Sequence, residues 1–256
     1  MKIGFLGAHN TESRDSRLVS LLIDDVLALD AGGLTSSLTL EQQLRLKAVL
    51  LTHCHYDHIR DIPLIAMNLF LSQAAIDVYS IPSVGDALAG CLLNGELYNR
   101  FMESPKGKET IRFHTIEPYK EIQIEGYGVL PLPVVHSVPA VGYRVTSSDG
   151  RSIFYTGDTG PGLAHLWRFV SPQLIVIEVT APNRYRQFGI EKCHLTPGLL
   201  KEELLGFREV KGYLPDVLTV HMNPELEAEI ESELSGVAKE LGNSITLAYE
   251  GRQVDL

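Results

Sequence analysis

The stretch that decides the fold is residues 53–58, HCHYDH, a short run of metal-binding residue types. It directly follows residues 48–52 (AVLLT), whose apolar and β-branched side chains predict a short buried strand. His53 and His55 are two residues apart on extended backbone, so their side chains point to the same face. A turn then presents a carboxylate and a third histidine from another direction. Imidazole and carboxylate groups bind zinc, iron and manganese, so this run predicts a metal site at the end of the strand.

The composition is that of a globular protein. Of the 256 residues, 45% are hydrophobic and 21% are charged. No apolar stretch approaches the roughly 20 residues that cross a bilayer, and the N-terminal MKIGFLGAHN has no signal-peptide segment. The 3 cysteines are an odd number and widely spaced, which argues against a disulfide framework. We therefore expect a cytoplasmic protein without a membrane partner.

The charge balance limits the partners. There are 22 Lys and Arg against 32 Asp and Glu, a net charge of −10, and the sequence contains no basic run. Proteins that bind extended nucleic acid use a field of Lys and Arg side chains, so no extended nucleic acid is expected as a partner. A small anionic substrate remains compatible with a few local cations. A homodimer also stays open.

Helices and strands follow one another without a linker, so a single domain over residues 1–256 is expected. The predicted strands fall into two groups with helices between and after them, which indicates two sheets with helices outside. Residues 162–170 (GLAHLWRFV) are predicted as a helix. Residues 196–210 are predicted as an amphipathic helix that begins with a Thr-Pro pair.

Three further residues follow predicted strands: His136 in LPVVHS, Asp158 in YTGDTG and His221 in LTVHMN. Strand ends and their loops are where rigid scaffolds place reactive groups. Together with the HxHxDH run, these residues resemble the metallo-β-lactamase superfamily over nearly the whole chain. The resemblance implies an α/β (α+β) fold, an αββα sandwich of two mixed sheets with helices on both outer faces. It also implies a dinuclear metal centre between the sheets.

The resemblance implies how the ligands divide between the two ions: His53, His55 and His136 for the first, Asp57, His58 and His221 for the second, and Asp158 as a bridge. Two divalent ions are expected, zinc first and iron or manganese as alternatives. Asp30, in LALDAGG, matches the family's early aspartate. That residue supports a ligand histidine from behind and fixes the orientation of its ring.

Residues 177–197 (IEVTAPNRYRQFGIEKCHLTP) indicate the branch of the superfamily. They resemble class II cyclic-nucleotide phosphodiesterases, a branch related to the tRNA 3′-endonuclease ribonuclease Z. In that relative, a Glu after a strand and a later His act beside the metals, and the matching residues in this chain are Glu178 and His194. Tyr56 and the Asn223-Pro224 pair depart from the branch pattern.

Phosphodiester hydrolysis gives these residues a purpose. The reaction needs a nucleophile, neutralisation of the phosphate charge and a proton for the leaving oxygen, and two metal ions supply the first two. A histidine held cationic by a carboxylate supplies the proton as a general acid. Asp57, Glu178 and His194 are therefore the predicted catalytic residues, with Glu178 orienting and charging the imidazole of His194.

The segment between Glu178 and His194 is predicted as a loop that carries Arg184, Tyr185 and Arg186, followed by Phe188. An arginine there is expected to contact phosphate, and an aromatic ring to stack on a base. The alternative is an ordinary solvated loop.

The sequence thus predicts a metal-dependent phosphodiesterase, acting on a small phosphodiester and most simply on a 3′,5′-cyclic nucleotide by a metal-activated hydroxide. A ribonuclease Z-like endonuclease is an alternative, although the acidic charge argues against it. A hydrolase of a carbon ester, thioester or lactam, similar to glyoxalase II, is a further alternative, and Glu178 with His194 argues against it. A di-iron redox or oxygen-binding protein uses the same ligands, but no fused flavodoxin or rubredoxin pattern is present.

Overall fold

Two seven-stranded sheets form the centre of the protein in a computed structural model that describes residues 1–256. Strands are numbered along the chain, and strands that are neighbours in a sheet are hydrogen-bonded to each other. The first sheet contains, from edge to edge, β14 (Gln253–Asp255), β1 (Lys2–Gly7), β2 (Ser20–Ile23), β3 (Leu27–Leu29), β4 (Ala48–Leu50), β5 (Ile76–Ser80) and β6 (Ile111–Thr115). The second contains β13 (Ile245–Leu247), β12 (Asp216–Val220), β11 (Leu174–Glu178), β10 (Ser152–Tyr155), β9 (Val141–Thr146), β8 (Tyr127–Pro133) and β7 (Ile122–Ile124).

Both sheets are mixed. In the first, β14, β1, β2 and β3 pair antiparallel and β3 to β6 pair parallel. In the second, β7 to β10 pair antiparallel and β10 to β13 pair parallel. Two of the parallel strands, AVL in β4 and LIVIE in β11, read as near-continuous apolar runs because they are buried throughout.

The helices lie against the sheets, so the predicted αββα sandwich is confirmed. In chain order they are α1 (Leu34–Ser37), α2 (Leu40–Arg45), α3 (Tyr56–Ile59), α4 (Ile62–Leu71), α5 (Pro82–Ala87), α6 (Arg186–Lys192), α7 (Pro197–Lys211) and α8 (Glu227–Leu241). α1 contacts β1, α5 contacts β6 and α8 contacts β13. None of these helices combines the length and apolarity that a bilayer-spanning helix requires.

The helix predicted over residues 162–170 is wrong. The segment instead forms two 3₁₀ turns, Leu163–His165 and Trp167–Phe169. Its backbone groups are bound by side chains from elsewhere: the Glu203 carboxylate accepts from the amides of Gly162 and Leu163, and Arg144 donates to the carbonyl of Phe169. These side chains satisfy backbone groups at the two ends of the segment, while within it the amides of Leu166, Phe169 and Val170 donate to the carbonyl three residues before, as in a 3₁₀ turn.

The loop predicted between Glu178 and His194 is also wrong in part. It contains a 3₁₀ turn over Asn183–Tyr185 and then α6. Cys193 ends α6 in the left-handed conformation, with φ of 59°, and turns the chain so that His194 follows at once. Pro182 and Gly189 are turn formers in sequence, which is why the pattern indicated a loop.

Candidate metal centre and acid pair

Strands from both sheets end at the candidate site. His53 follows β4, Asp158 follows β10 and His221 follows β12. The atoms of the predicted ligands form two groups, in each of which they lie within 4.8 Å of one another: His53, His55, His136 and Asp158 in the first group, and Asp57, His58, Asp158 and His221 in the second. Asp158 belongs to both groups. Glu178, His194 and His221 meet the same distance as a third group, which lacks Asp158. The structure therefore brings the predicted ligands together with the division that the resemblance implied.

Buried polar atoms without partners test whether these residues fit metal ions. His53 Nε2, His58 Nε2 and Asp158 Oδ1 are buried and make no hydrogen bond. Such atoms are rare in native proteins, because desolvating them is costly unless another ligand satisfies them. Neutral imidazole and carboxylate form a donor set that suits zinc and related ions. The residues fit a pair of divalent ions.

The spacing of neighbouring ligand atoms leads to the same result. His55 Nδ1 lies 3.1 Å from His136 Nε2, and His221 Nε2 lies 3.3 Å from Asp57 Oδ2. Two nitrogen ligands about 2.0–2.1 Å from a tetrahedral zinc stand roughly 3.3–3.4 Å apart. These pairs are therefore spaced as ligands of one ion are.

The first group is prepared in its metal-binding form. Burial lowers the pKa of His53 well below its usual value, and burial also lowers the pKa of His136. Both rings are thus held neutral, which is the form that binds metal. His136 Nδ1 lies 3.3 Å from the carbonyl oxygen of Cys193 and donates to it, so His136 presents Nε2 to the site.

The second group surrounds a carboxylate at its rim. His58 Nε2 lies 3.2 Å from Asp158 Oδ1, and His221 Nε2 lies 3.3 Å from Asp158 Oδ2. Burial opposes the charge of Asp57, but its histidine neighbours, His221 first and then His58, outweigh this effect and lower the pKa of that carboxyl. Asp57 is therefore ionised and available as a ligand.

Asp30 lies behind these ligands and is fully buried. Its Oδ2 accepts from His58 Nδ1 at 2.8 Å, from the Tyr155 hydroxyl at 2.7 Å and from the Thr52 hydroxyl at 2.9 Å. Its Oδ1 accepts from the Thr52 amide at 2.8 Å. This bond turns the ring so that His58 Nε2 faces Asp57 and Asp158, the orientation in which it would bind a metal.

Asp30→Ala is expected to destabilise the protein by about 3–5 kcal/mol, because it leaves buried donors without their charged acceptor. The measurement is urea unfolding of metal-free protein. The matched control is Asp86→Ala, since Asp86 is exposed on α5, and it is expected to change the free energy of unfolding by less than about 0.5 kcal/mol. Equal effects of the two substitutions would contradict this role for Asp30.

Several residues at the site adopt a left-handed backbone conformation. Asp30, His221 and Cys193 have φ of 58°, 64° and 59°, in a region that side chains other than glycine rarely occupy. Gly157, just before Asp158, has φ of 60°, and a Cβ there would lie 2.7 Å from the Thr52 side chain. Asp30, Gly157 and His221 turn the chain after a strand, and Cys193 turns it at the end of α6, so that in each case a functional side chain is aimed at the site.

Glu178 and His194 form a charged pair beside both groups. His194 Nδ1 donates to Glu178 Oε1 at 2.6 Å, and Glu178 is fully buried. The His194 ring lies 5.3 Å from the ring of His136 and 5.4 Å from the ring of His221, measured between centroids. Burial opposes the charge of His194, but Glu178 outweighs it and raises the pKa of the imidazole to about 9. The pair thus places a cationic proton donor next to the ligands.

The arginines predicted to contact substrate are exposed and already paired. Arg184 lies 3.1 Å from Glu229 on α8, and Arg186 lies 3.0 Å from Glu202 on α7. The Arg184 guanidinium also stacks 4.7 Å from the centre of the Tyr185 ring. Contact of these residues with substrate stays a prediction, and it requires the arginines to exchange a carboxylate for phosphate.

Sequence reasoning missed the hydroxyl groups that hold the histidines. Thr52 Oγ1 lies 2.9 Å from His53 Nδ1, and Thr180 Oγ1 lies 2.9 Å from His221 Nδ1. Tyr155, on β10, donates to Asp30 across 125 positions of sequence. The only available signal was a polar residue at the end of an otherwise apolar strand.

His9 and Cys54 lie outside the two ligand groups. His9 bonds Glu250 at 2.8 Å through Nδ1 and Glu227 at 3.0 Å through Nε2, so both of its nitrogens are engaged. Cys54, between two ligands in sequence, packs against the hydrophobic core. Neither side chain belongs to the two groups.

Comparison with known proteins identifies the family. A family model described as a β-lactamase superfamily domain matches residues 21–226. Ribonuclease Z of the cyanobacterium Acaryochloris marina is 28% identical over 167 residues, which cover 61% of this chain and 51% of that protein. The chain thus spans about half the length of the curated relatives that it matches.

The fold is also found in solved structures. Unliganded yeast PDE1 aligns with a TM-score of 0.83 at 15% identity, covering 100% of this chain and 99% of that one. The short form of human tRNase Z aligns with a TM-score of 0.73 at 16% identity, covering 100% and 99%. At these identities the likeness concerns the fold alone.

Proposed function

Since the chain belongs to the metallo-β-lactamase superfamily, we propose that it is a dinuclear metal-dependent hydrolase of phosphodiesters, with a 3′,5′-cyclic nucleotide as substrate. The observation that carries the proposal is the Glu178–His194 pair next to the two ligand groups. Metal ligands alone serve many hydrolytic reactions. A buried carboxylate that charges a histidine beside them serves a reaction whose leaving group needs a proton.

The ligand groups would hold two divalent ions, which supply a nucleophile from bound water and neutralise the phosphate oxygens. The chain's own residues then set the geometry. Asp158 belongs to both groups and would therefore help to hold both ions. Asp57 lies at the rim, where its side chain is 31% exposed, whereas Asp158 is 3% exposed. Substrate therefore enters from the side of Asp57.

His194 supplies the proton to the leaving oxygen. Its Nδ1 is committed to Glu178, so the transferable proton is on Nε2. When the bond between phosphorus and the leaving oxygen breaks, that oxygen takes the Nε2 proton and leaves as an alcohol. Glu178 keeps its place through the amides of Thr159 and Leu195, at 3.1 and 3.2 Å, and stabilises the imidazolium before transfer.

The charge distribution supports a small substrate. The net charge is −10, and the exposed arginines nearest to His194 in sequence are paired with Glu202 and Glu229. Binding of a long polyanion draws on many free cations. The 28% sequence identity with a ribonuclease Z nevertheless favours a second candidate function, the endonucleolytic cleavage of tRNA precursors. The Glu178–His194 pair would serve as the proton donor in that reaction too.

A turnover panel on zinc-loaded protein tests the proposal. The panel contains cyclic AMP, cyclic GMP, a bis-nitrophenyl phosphodiester, a tRNA precursor, a thioester and a β-lactam. We expect phosphodiester hydrolysis well above thioester or lactam hydrolysis, because the alkoxide that leaves a nucleotide phosphodiester needs the proton of His194, whereas a thiolate leaves without one. Cleavage of the tRNA precursor without turnover of cyclic nucleotides would replace the first candidate with the second. Efficient thioester cleavage without phosphodiester turnover would contradict both candidate functions.

A further inference from the structure

One threonine hydroxyl joins the acid pair to the second ligand group. Thr180 Oγ1 lies 2.8 Å from Glu178 Oε2 and 2.9 Å from His221 Nδ1, and it lies 3.3 Å from His194 Nδ1. Thr180 is two residues beyond the end of β11, and it is 8% exposed to solvent. The hydroxyl is thus the only atom that contacts the carboxylate, the candidate acid and a candidate ligand together.

The hydrogen bonds of this hydroxyl allow one arrangement of protons. A hydroxyl has a single proton, and an ionised carboxylate only accepts, so Thr180 donates to Glu178. The hydroxyl oxygen must then accept from His221, whose proton is therefore on Nδ1. The proton of His194 goes to Glu178, which is nearer at 2.6 Å. His221 Nε2 is left with a lone pair, and it faces Asp57 and Asp158 at 3.3 Å.

The same arrangement of a buried carboxylate, a threonine hydroxyl and two histidines occurs at the end of the first sheet. Thr52 Oγ1 donates to Asp30 at 2.9 Å and accepts from His53 Nδ1 at 2.9 Å, while Asp30 accepts directly from His58. In each sheet one buried carboxylate therefore orients one histidine directly and a second through a threonine hydroxyl. Glu178 holds His194 directly and His221 through Thr180. The recurrence argues against a chance contact.

We propose that Thr180 is a positioning residue that selects the metal-binding tautomer of His221 and links the second ion to the Glu178–His194 pair. This inference rests on the two-ion site of the proposed function, but not on which substrate that site hydrolyses. Thr180 has no hydrogen bond to a ligand that belongs only to the first group. Its loss should therefore weaken the second ion selectively.

The test compares Thr180→Val, which removes the hydroxyl at nearly constant size, with Thr180→Ser, which keeps it. Thr219→Val is the matched control, because Thr219 is a fully buried threonine on β12 whose hydroxyl has no hydrogen-bond partner. The probe is Zn²⁺ alone, and the two dissociation constants are measured by competition with a chromophoric chelator. We expect Thr180→Val to bind the second ion 10–100-fold more weakly, the usual effect of losing a group that orients a ligand. We expect Thr180→Ser and Thr219→Val to keep both affinities.

A second measurement needs no variant and covers the case in which Thr180→Val does not fold. In zinc-loaded wild-type protein with ¹⁵N-labelled histidine, the proton of His221 is expected on Nδ1, protected from exchange. A proton on Nε2 would overturn the proposal. So would unchanged zinc affinity in a folded Thr180→Val protein, or equal weakening of both ions. These binding and tautomer measurements remain interpretable even if phosphodiester turnover is absent, so failure of the proposed function is recognised separately.

Discussion

Asp158→Ala is expected to remove both metal ions and nearly all turnover. Asp158 is the one carboxylate shared by the two ligand groups: its Oδ1 lies 3.2 Å from His58 Nε2, and its Oδ2 lies 3.8 Å from His53 Nε2. Removal of a single transition-state donor costs roughly 10²–10³ in kcat. The loss in this variant should exceed that range, since the nucleophile and the phosphate clamp disappear together.

Metal content by mass spectrometry and turnover of the bis-nitrophenyl phosphodiester measure this effect. Asp57→Ala is the comparison, because Asp57 belongs to the second group only and its loss should leave the first ion bound. A crystal structure of the zinc-loaded wild type should show two ions roughly 3.5–4 Å apart, as in other two-metal hydrolytic sites. One ion with Asp158 unliganded would refute the shared role.

His194→Ala is expected to lower turnover of cyclic nucleotides by roughly 10²–10⁴, the usual contribution of a positioned general acid. Both ions and most of the substrate affinity should remain, because His194 belongs to neither of the two ligand groups that contain Asp158. The loss should shrink for a nitrophenyl phosphodiester, since nitrophenolate is a stable leaving group that needs no proton. The measured quantity is the ratio of the two rate losses in the same variant.

His165→Ala is the matched control, since His165 is an exposed histidine whose ring bonds a neighbouring carbonyl. It should leave both rates unchanged. An equal fall on the natural and activated substrates in His194→Ala, with both ions retained, would mean that another group is the acid. Glu178→Gln tests the same step less cleanly, because an amide would also place a donor against the amides of Thr159 and Leu195 or the hydroxyl of Thr180.

The sequence patterns predicted two sheets with helices outside and a metal site after the strand that precedes HCHYDH. The αββα sandwich and the further ligands His136, Asp158 and His221 followed from the resemblance to the superfamily. The patterns are informative because strand periodicity indicates which face of a sheet a side chain occupies, and because strand ends carry reactive groups. The paired histidines at 53 and 55 needed nothing beyond this rule.

Partners that are distant in sequence were decided only by the tertiary structure. Periodicity does not say which hydroxyl meets which carboxylate, so the bonds of Tyr155 to Asp30 and of Thr180 to His221 were not predictable. Residues 162–170 have a helical apolar pattern, yet their backbone forms bonds over three residues instead of four, and Glu203 and Arg144 bind the groups at the two ends. The sequence by itself determined which residue types stand at the strand ends. Tertiary packing decided the tautomers, the ion pairs and the shared carboxylate, because those depend on distances of about 3 Å between atoms that the chain order keeps far apart.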